Sequence, residues 1–152
     1  MKAVVQRAKS ASVKIFEQNY SEKIGKGLLI LLGIKTGDTE DDVNFVADKC
    51  CNLRIFEDEE NKMNKSVKDI SGEMLIISQF TLHGETSKGN RPSFIEAARP
   101  EEAIPLYNKF ISRVKLNLGV DKVKEGIFGA MMDIEIINYG PVTVIVESKN
   151  SK

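Results

Sequence analysis

The chain has 152 residues, 41% hydrophobic and 29% charged, which fits one soluble globular domain and excludes a disordered chain. Lys plus Arg number 22 and Asp plus Glu also 22, so the formal net charge is zero. Any surface for nucleic acid or membrane must then be a local patch. Residues 27–34, the longest apolar run, fall far short of the ~20 needed to cross a bilayer. No secretory h-region is apparent at the N-terminus. Cys50 and Cys51 are adjacent and read as reduced thiols, so a cytoplasmic location is expected.

In chain order, residues 3–8 and 11–16 alternate with β-branched side chains around a polar break at Lys9 and Ser10, and read as a strand pair. Gly25 marks a turn before a strong strand over 27–34. Thr39 with Asp42 three residues on fits a capping box, and Val43, Val46, Cys50 and Leu53 recur at helical spacing, predicting a helix over 40–52. Residues 54–56 read as a short strand ended by the acidic turn 57–62. A strand is expected over 73–82, followed by a loop over 83–93. A second helix is predicted over 101–118, opened by Pro100 and closed by Gly119, with Pro105 in or near its first turn. Two final strands, 133–137 and 142–147, flank Asn138-Tyr139-Gly140-Pro141. The fold class is α+β: a single domain with a largely antiparallel or mixed sheet, open or barrel-like, and about two main helices. Residues 1–148 form the domain and 149–152 a short polar tail.

No Walker loop, dinucleotide-binding glycine fingerprint or GxSxG elbow occurs. One histidine and an adjacent cysteine pair do not make a zinc site, so neither metal nor cofactor is expected. Any Ser–His or Cys–His pair would have to use His83. On an extended strand Thr81 and His83 would share a face, but a solvated loop position for His83 is the simpler reading.

Ser78-Gln79-Phe80-Thr81-Leu82 and Asn138-Tyr139-Gly140-Pro141-Val142-Thr143 change this picture, together with Ala3-Val4-Val5-Gln6-Arg7, Asn52–Phe56, Lys62-Met63-Asn64 and Arg91-Pro92-Ser93-Phe94. With these segments the chain resembles the D-aminoacyl-tRNA deacylase family from Met1 to about Glu147. The resemblance implies a homodimeric enzyme, with active sites at the subunit interface, that hydrolyses the ester between a D-amino acid and the 3′-terminal adenosine of tRNA. It places Ser78, Gln79, Phe80 and Thr81 around that ester, with the Phe80 N–H polarising the carbonyl. It makes Gly140-Pro141 a cis peptide that enters the second subunit's site and rejects L side chains, with Arg7 fixing its orientation. Met132, with Ala130 and Asn138, would line the pocket. Position 131 carries Met131 where the family usually has an acidic residue.

The family offers Thr81 as nucleophile or the terminal ribose 2′-OH as assistant. The scarcity of general bases in this sequence favours the second. A wall that works by shape would leave glycyl esters acceptable. Lys88 and Arg91, then Lys65 and Lys68, are candidates for tRNA phosphates. Neither membrane nor DNA is an expected partner. The alternatives are a non-catalytic tRNA-end binding module of the same fold and a purely structural dimer.

Overall fold

The computed structural model describes residues 1–149. Its first strand, β1 (Lys2–Ile15), runs unbroken through Lys9 and Ser10. A short 3-10 turn at Phe16–Gln18 leads into β2 (Tyr20–Ile24), and β3 (Gly27–Gly33) follows. The expected strand pair 3–8 and 11–16 is therefore one strand, and the hairpin falls at Phe16–Asn19, where Asn19 takes a positive φ of 48°. The polar break is nonetheless a real irregularity. Val5 pairs with Ile30 on β3 and Ala11 with Ile24 on β2, while Lys9-Ser10 and Gly25-Lys26 drop out of the ladder between them.

Helix α1 (Glu40–Asn52) starts at the expected capping box. The Thr39 backbone N–H donates to the Asp42 carboxylate at 2.8 Å, closing the first turn. The two-strand ribbon β4 (Phe56–Glu57) and β5 (Met63–Lys65) follows; β4 overlaps the expected 54–56 strand only at Phe56, and β5 lies in a stretch to which the sequence reading assigned no element. Strand β6 (Glu73–Ser78) is shorter than predicted, because residues 80–83 coil into a 3-10 turn. Helix α2 (Pro100–Leu118) buries Ala103, Tyr107, Phe110, Ile111 and Val114 along one face and ends at Gly119, where φ is 102°. Pro105 lies in its second turn, on the exposed side, where its missing N–H leaves the Glu101 carbonyl to water.

A short β7 (Val123–Glu125), absent from the sequence reading, precedes the long β8 (Asp133–Glu147). The two predicted final strands are one 15-residue strand. Along the sheet the order is β2-β1-β3-β6-β7, with β8 on the other edge of β1. The β3/β6 and β6/β7 pairs are parallel, reached by crossovers that carry α1 and α2, and the remaining pairs in this sheet are antiparallel. The result is a mixed, nearly closed sheet with two helices.

Two cores result. Ala3, Val5, Leu28, Ile30, Leu32, Met74 and Ile76 pack with the buried faces of α1 and α2. Ala11, Val13, Ile15, Ile24, Leu29, Leu75 and Ile77 form the second core, inside the curl of the sheet against Ile134 and Ile136. Odd-numbered residues of β1 thus serve the first core before Lys9 and the second after it. The strand changes faces at its irregularity, as an inserted bulge residue requires. Cys50 and Cys51 are free and buried, and burial pushes both thiols up, Cys51 to about 12, so they pack rather than react. Among the described residues no helix is long and apolar enough to cross a membrane. Residues 150–152 of the expected tail lie outside the described residues.

Candidate active site

Strand β6 brings Ser78 alongside Leu32 of β3, and the Gln79 N–H continues the ladder by donating to the Leu32 carbonyl at 2.8 Å. The chain then tightens into the turn Phe80–His83, with the Leu82 N–H donating to the Gln79 carbonyl at 3.2 Å. The first N–H groups of such a turn have no acceptor inside it, which leaves those of Phe80 and Thr81 available. Gly33 lets the turn sit this close. A Cβ there would stand 3.0 Å from both the Gln79 carbonyl oxygen and the Leu82 Cβ.

Phe80 is 54% exposed and meets Phe94 edge-to-face, with centroids 5.3 Å apart. The Thr81 hydroxyl is exposed and accepts a hydrogen bond from the Gln79 side-chain amide. An amide N–H is no base, so this contact orients Thr81 without activating it. His83 does not share a strand face with Thr81, and it is not solvated. It is buried, 7% exposed, beneath the turn and against Gly33. Burial holds its pKa below the ordinary value, against a smaller opposing effect from its hydrogen bond to the Gly33 backbone. Its Nε2 has no partner among the described residues. Beside the turn, Leu32, Ile34, Ser78, Gln79, Phe80, Ala98, Ala103 and Phe128 line a narrow cleft. A wider groove of about 450 Å³ along β1, β2 and β8 contains none of the expected site residues.

Met132 reaches the same end of the sheet through a gap that Gly126 leaves. A Cβ on Gly126 would lie 2.6 Å from the Met132 Sδ and 3.0 Å from the Ile77 Cδ1. Ala130 is half-buried in the second core, Asn138 is exposed, and Met131 is 86% exposed. Phe128 and Gly126 carried no signal in the sequence, and Phe94 counted only as the end of the Arg91–Phe94 segment, because their contacts with Tyr107, Ile77 and Phe80 come from the fold.

Gly140-Pro141 stands elsewhere. Between Gln6↔Thr143 and Ala8↔Asn138, the single β1 residue Arg7 faces four β8 residues, Tyr139 to Val142, which leave the ladder as a loop with Gly140 and Pro141 exposed and Tyr139 and Val142 half-buried. The Gly140–Pro141 peptide is cis. Arg7 is buried. Its Nε donates to the Tyr139 carbonyl at 2.7 Å, one Nη donates to the Ile55 carbonyl at 2.8 Å, and its guanidinium lies 4.7 Å from the Tyr139 ring centroid. Arg7 pairs with Leu28, whereas Ser78 pairs with Leu32, four residues further along β3. At ~3.3 Å per residue the two features are roughly 13 Å apart along the sheet. One chain does not bring Gly140-Pro141 onto Phe80 and Thr81.

Lys88 and Arg91 are exposed on the loop closed by the Glu85–Ser93 bridge, without an ion pair among the described residues. Lys68 is also exposed, but Lys65 is engaged by Glu59. Among the described residues no group of three or more His, Cys, Asp or Glu side chains is placed to hold a metal.

Comparison with known proteins assigns this arrangement. The family model described as D-Tyr-tRNA(Tyr) deacylase matches residues 4–147. D-aminoacyl-tRNA deacylases of Cytophaga hutchinsonii and Flavobacterium psychrophilum are each 54% identical over 152 residues, covering all of both chains. That of Halalkalibacterium halodurans is 54% identical over 149 residues, 98% of this chain and 100% of its own. Among solved structures, the c-Myc DNA unwinding element binding protein superposes with a TM-score of 0.91 at 43% identity, over 97% of this chain and 99% of that one. A probable eukaryotic D-amino acid tRNA deacylase shares the fold, with a TM-score of 0.81 at 17% identity over 96% and 98% of the two chains.

Fold and sequence together define a hydrolase that acts on aminoacyl-tRNA. The chain belongs to the D-aminoacyl-tRNA deacylase family.

Proposed function

We propose that two copies of this chain form a homodimer in which the Gly140-Pro141 loop of one copy closes the Phe80–Thr81 turn of the other. The observation that carries this reading is the separation of the two features within one chain, with the loop exposed and tied down by Arg7. Each composite site takes the 3′ end of a D-aminoacyl-tRNA. The Gly140-Pro141 backbone is a wall that an L side chain strikes and a D side chain avoids. Glycine has nothing to strike it with, so glycyl esters are hydrolysed too.

Water attacks the ester carbonyl, the carbonyl oxygen gathers charge against the Phe80 N–H, and the ribose 3′-oxygen leaves with a proton. Free amino acid and tRNA result. The 2′-OH of the terminal ribose relays the proton, since Thr81 meets only the Gln79 amide and His83 is turned away into the core. Ser78, Gln79 and Thr81 orient the substrate, while Met132, Ala130 and Asn138 border the side chain. Lys88 and Arg91 meet acceptor-end phosphates. The enzyme works in the cytoplasm as chiral proofreading of translation, where its two free thiols remain reduced.

The test is parallel deacylation of D-Tyr-tRNA and L-Tyr-tRNA by purified protein, with chelator present. Selective loss of the D ester is the expected result. Equal loss of both esters would remove the wall, and survival of both with tRNA still bound would favour a binding module. Duplex DNA belongs in the binding series, because the neighbour at 43% identity is named for a DNA element.

A further inference from the structure

We propose that Lys9 and Lys26, gathered with Arg7 around the Tyr139 ring, contact the sugar-phosphate backbone of the tRNA acceptor end. The copy that supplies the Gly140-Pro141 loop would thereby also hold the substrate. This rests on the dimeric deacylase reading.

The geometry is a local concentration of positive charge in a chain without net charge. The Lys9 ammonium lies 5.4 Å and the Lys26 ammonium 5.7 Å from the Tyr139 ring centroid, with the Arg7 guanidinium at 4.7 Å. The Lys26 ammonium is also 6.0 Å from the Phe56 ring. Ala8 pairs with Gly27 and Ala11 with Ile24, so the same register sets Lys9 opposite Lys26 across the gap in the ladder. Like charges directly opposite one another destabilise a sheet, and the ring face offsets only part of that repulsion.

The carboxylates packed nearby leave the lysines unpaired. Glu57 lies 3.9 Å from Arg7, and the Glu73 carboxylate accepts the Gly25 N–H at 2.8 Å. Neither lysine forms an ion pair among the described residues, and both are exposed. Two unpaired ammonium groups beside Tyr139, which immediately precedes Gly140-Pro141, suit a polyanion that passes the loop on its way into the second copy's site. Point charges on flexible stems fit backbone phosphates, which position a nucleic acid without reading its sequence.

The experiment uses the double variant Lys9→Gln/Lys26→Gln and the charge-retaining Lys9→Arg/Lys26→Arg. Each is assayed for binding of uncharged tRNA and for hydrolysis of D-Tyr-tRNA between 50 and 200 mM salt. Losing two phosphate contacts lowers the slope of log affinity against log salt by up to ~1.8, at about 0.9 per duplex phosphate. The Gln variant should therefore bind tRNA about tenfold more weakly at low salt, raise KM, leave kcat largely intact and melt no lower than the parent. The Arg variant should restore both slope and KM.

An unchanged slope with unchanged KM overturns the proposal. So does a fall in kcat at unchanged slope, which would make the lysines loop supports. Because uncharged tRNA binding is read separately, a parent protein that binds tRNA but hydrolyses no D ester would sink the deacylase reading while still deciding this one.

Discussion

The Arg7 Nε donates to the Tyr139 carbonyl across the gap between β1 and β8, 2.7 Å apart though 132 residues distant in sequence. The same guanidinium holds the Ile55 carbonyl in the link between α1 and β4, so one buried cation joins three parts of the chain behind the Gly140-Pro141 loop. Its planar fork makes these bonds from two different nitrogens held rigidly apart, a span that the single nitrogen of an ammonium does not reproduce.

Arg7→Lys should therefore lose stability although charge is kept. Two hydrogen bonds from a charged donor are disturbed, so a cost of about 1–3 kcal/mol in denaturant unfolding is expected. D-ester hydrolysis should fall at least about tenfold, equivalent to ~1.4 kcal/mol in the barrier, through a loosened loop. Parent-like activity in a destabilised variant would separate Arg7 from the loop's function.

Thr81→Val removes the hydroxyl that accepts from Gln79 and keeps the shape. Single-turnover hydrolysis should slow by less than about tenfold. A D-aminoacyl ester on a tRNA ending in 2′-deoxyadenosine should slow about a hundredfold or more, the scale of a lost proton relay. The reverse order would make Thr81 the nucleophile.

Gly126→Ala places a methyl 2.6 Å from the Met132 Sδ, closer than the two can stand without movement. Methionine is flexible enough to move, so the stability cost should stay near or below about 1 kcal/mol. The displaced side chain narrows the pocket, so D-Tyr-tRNA hydrolysis should fall more than glycyl-tRNA hydrolysis. Equal effects on both substrates would place Met132 outside the pocket.

Acid should weaken the fold in two windows. His83 is buried and its folded pKa is depressed, so the unfolded chain binds the proton more readily and stability rises with pH. That contribution is complete above the ordinary histidine value of ~6.5 and is lost as pH drops below it. His83→Asn should flatten the stability profile between pH 7 and pH 5. Asp48 behaves as a lowered carboxylate, held down first by its hydrogen bond from Arg113 and supported by Asn117. Its contribution is present above the ordinary carboxylate range and lost as pH falls through the folded pKa. The pair is about 40% exposed, so Asp48→Asn should cost only about 0.5–1 kcal/mol at pH 7. Urea titrations across pH would show both.

Much of the fold was legible along the chain. The α1 capping box, the Pro100 start and Gly119 stop of α2, and the apolar β3 are local signals, and each acts within a few residues of itself. Two paired motifs were enough for the family, because Ser78–Leu82 and Asn138–Thr143 are specific as residue strings. Tertiary structure decided the rest. Lys9-Ser10 looked like a turn, because a polar break between alternating runs has the same local signature as a bulge. Only ladders to β2, β3 and β8 keep the strand extended there and swap its faces between two cores. His83 looked like a loop residue because its burial depends on Gly33, fifty positions away. Sequence spacing also could not reveal that the two motifs lie on different parts of one sheet. That separation follows from strand register, which is fixed by pairing partners rather than by any residue's own preference.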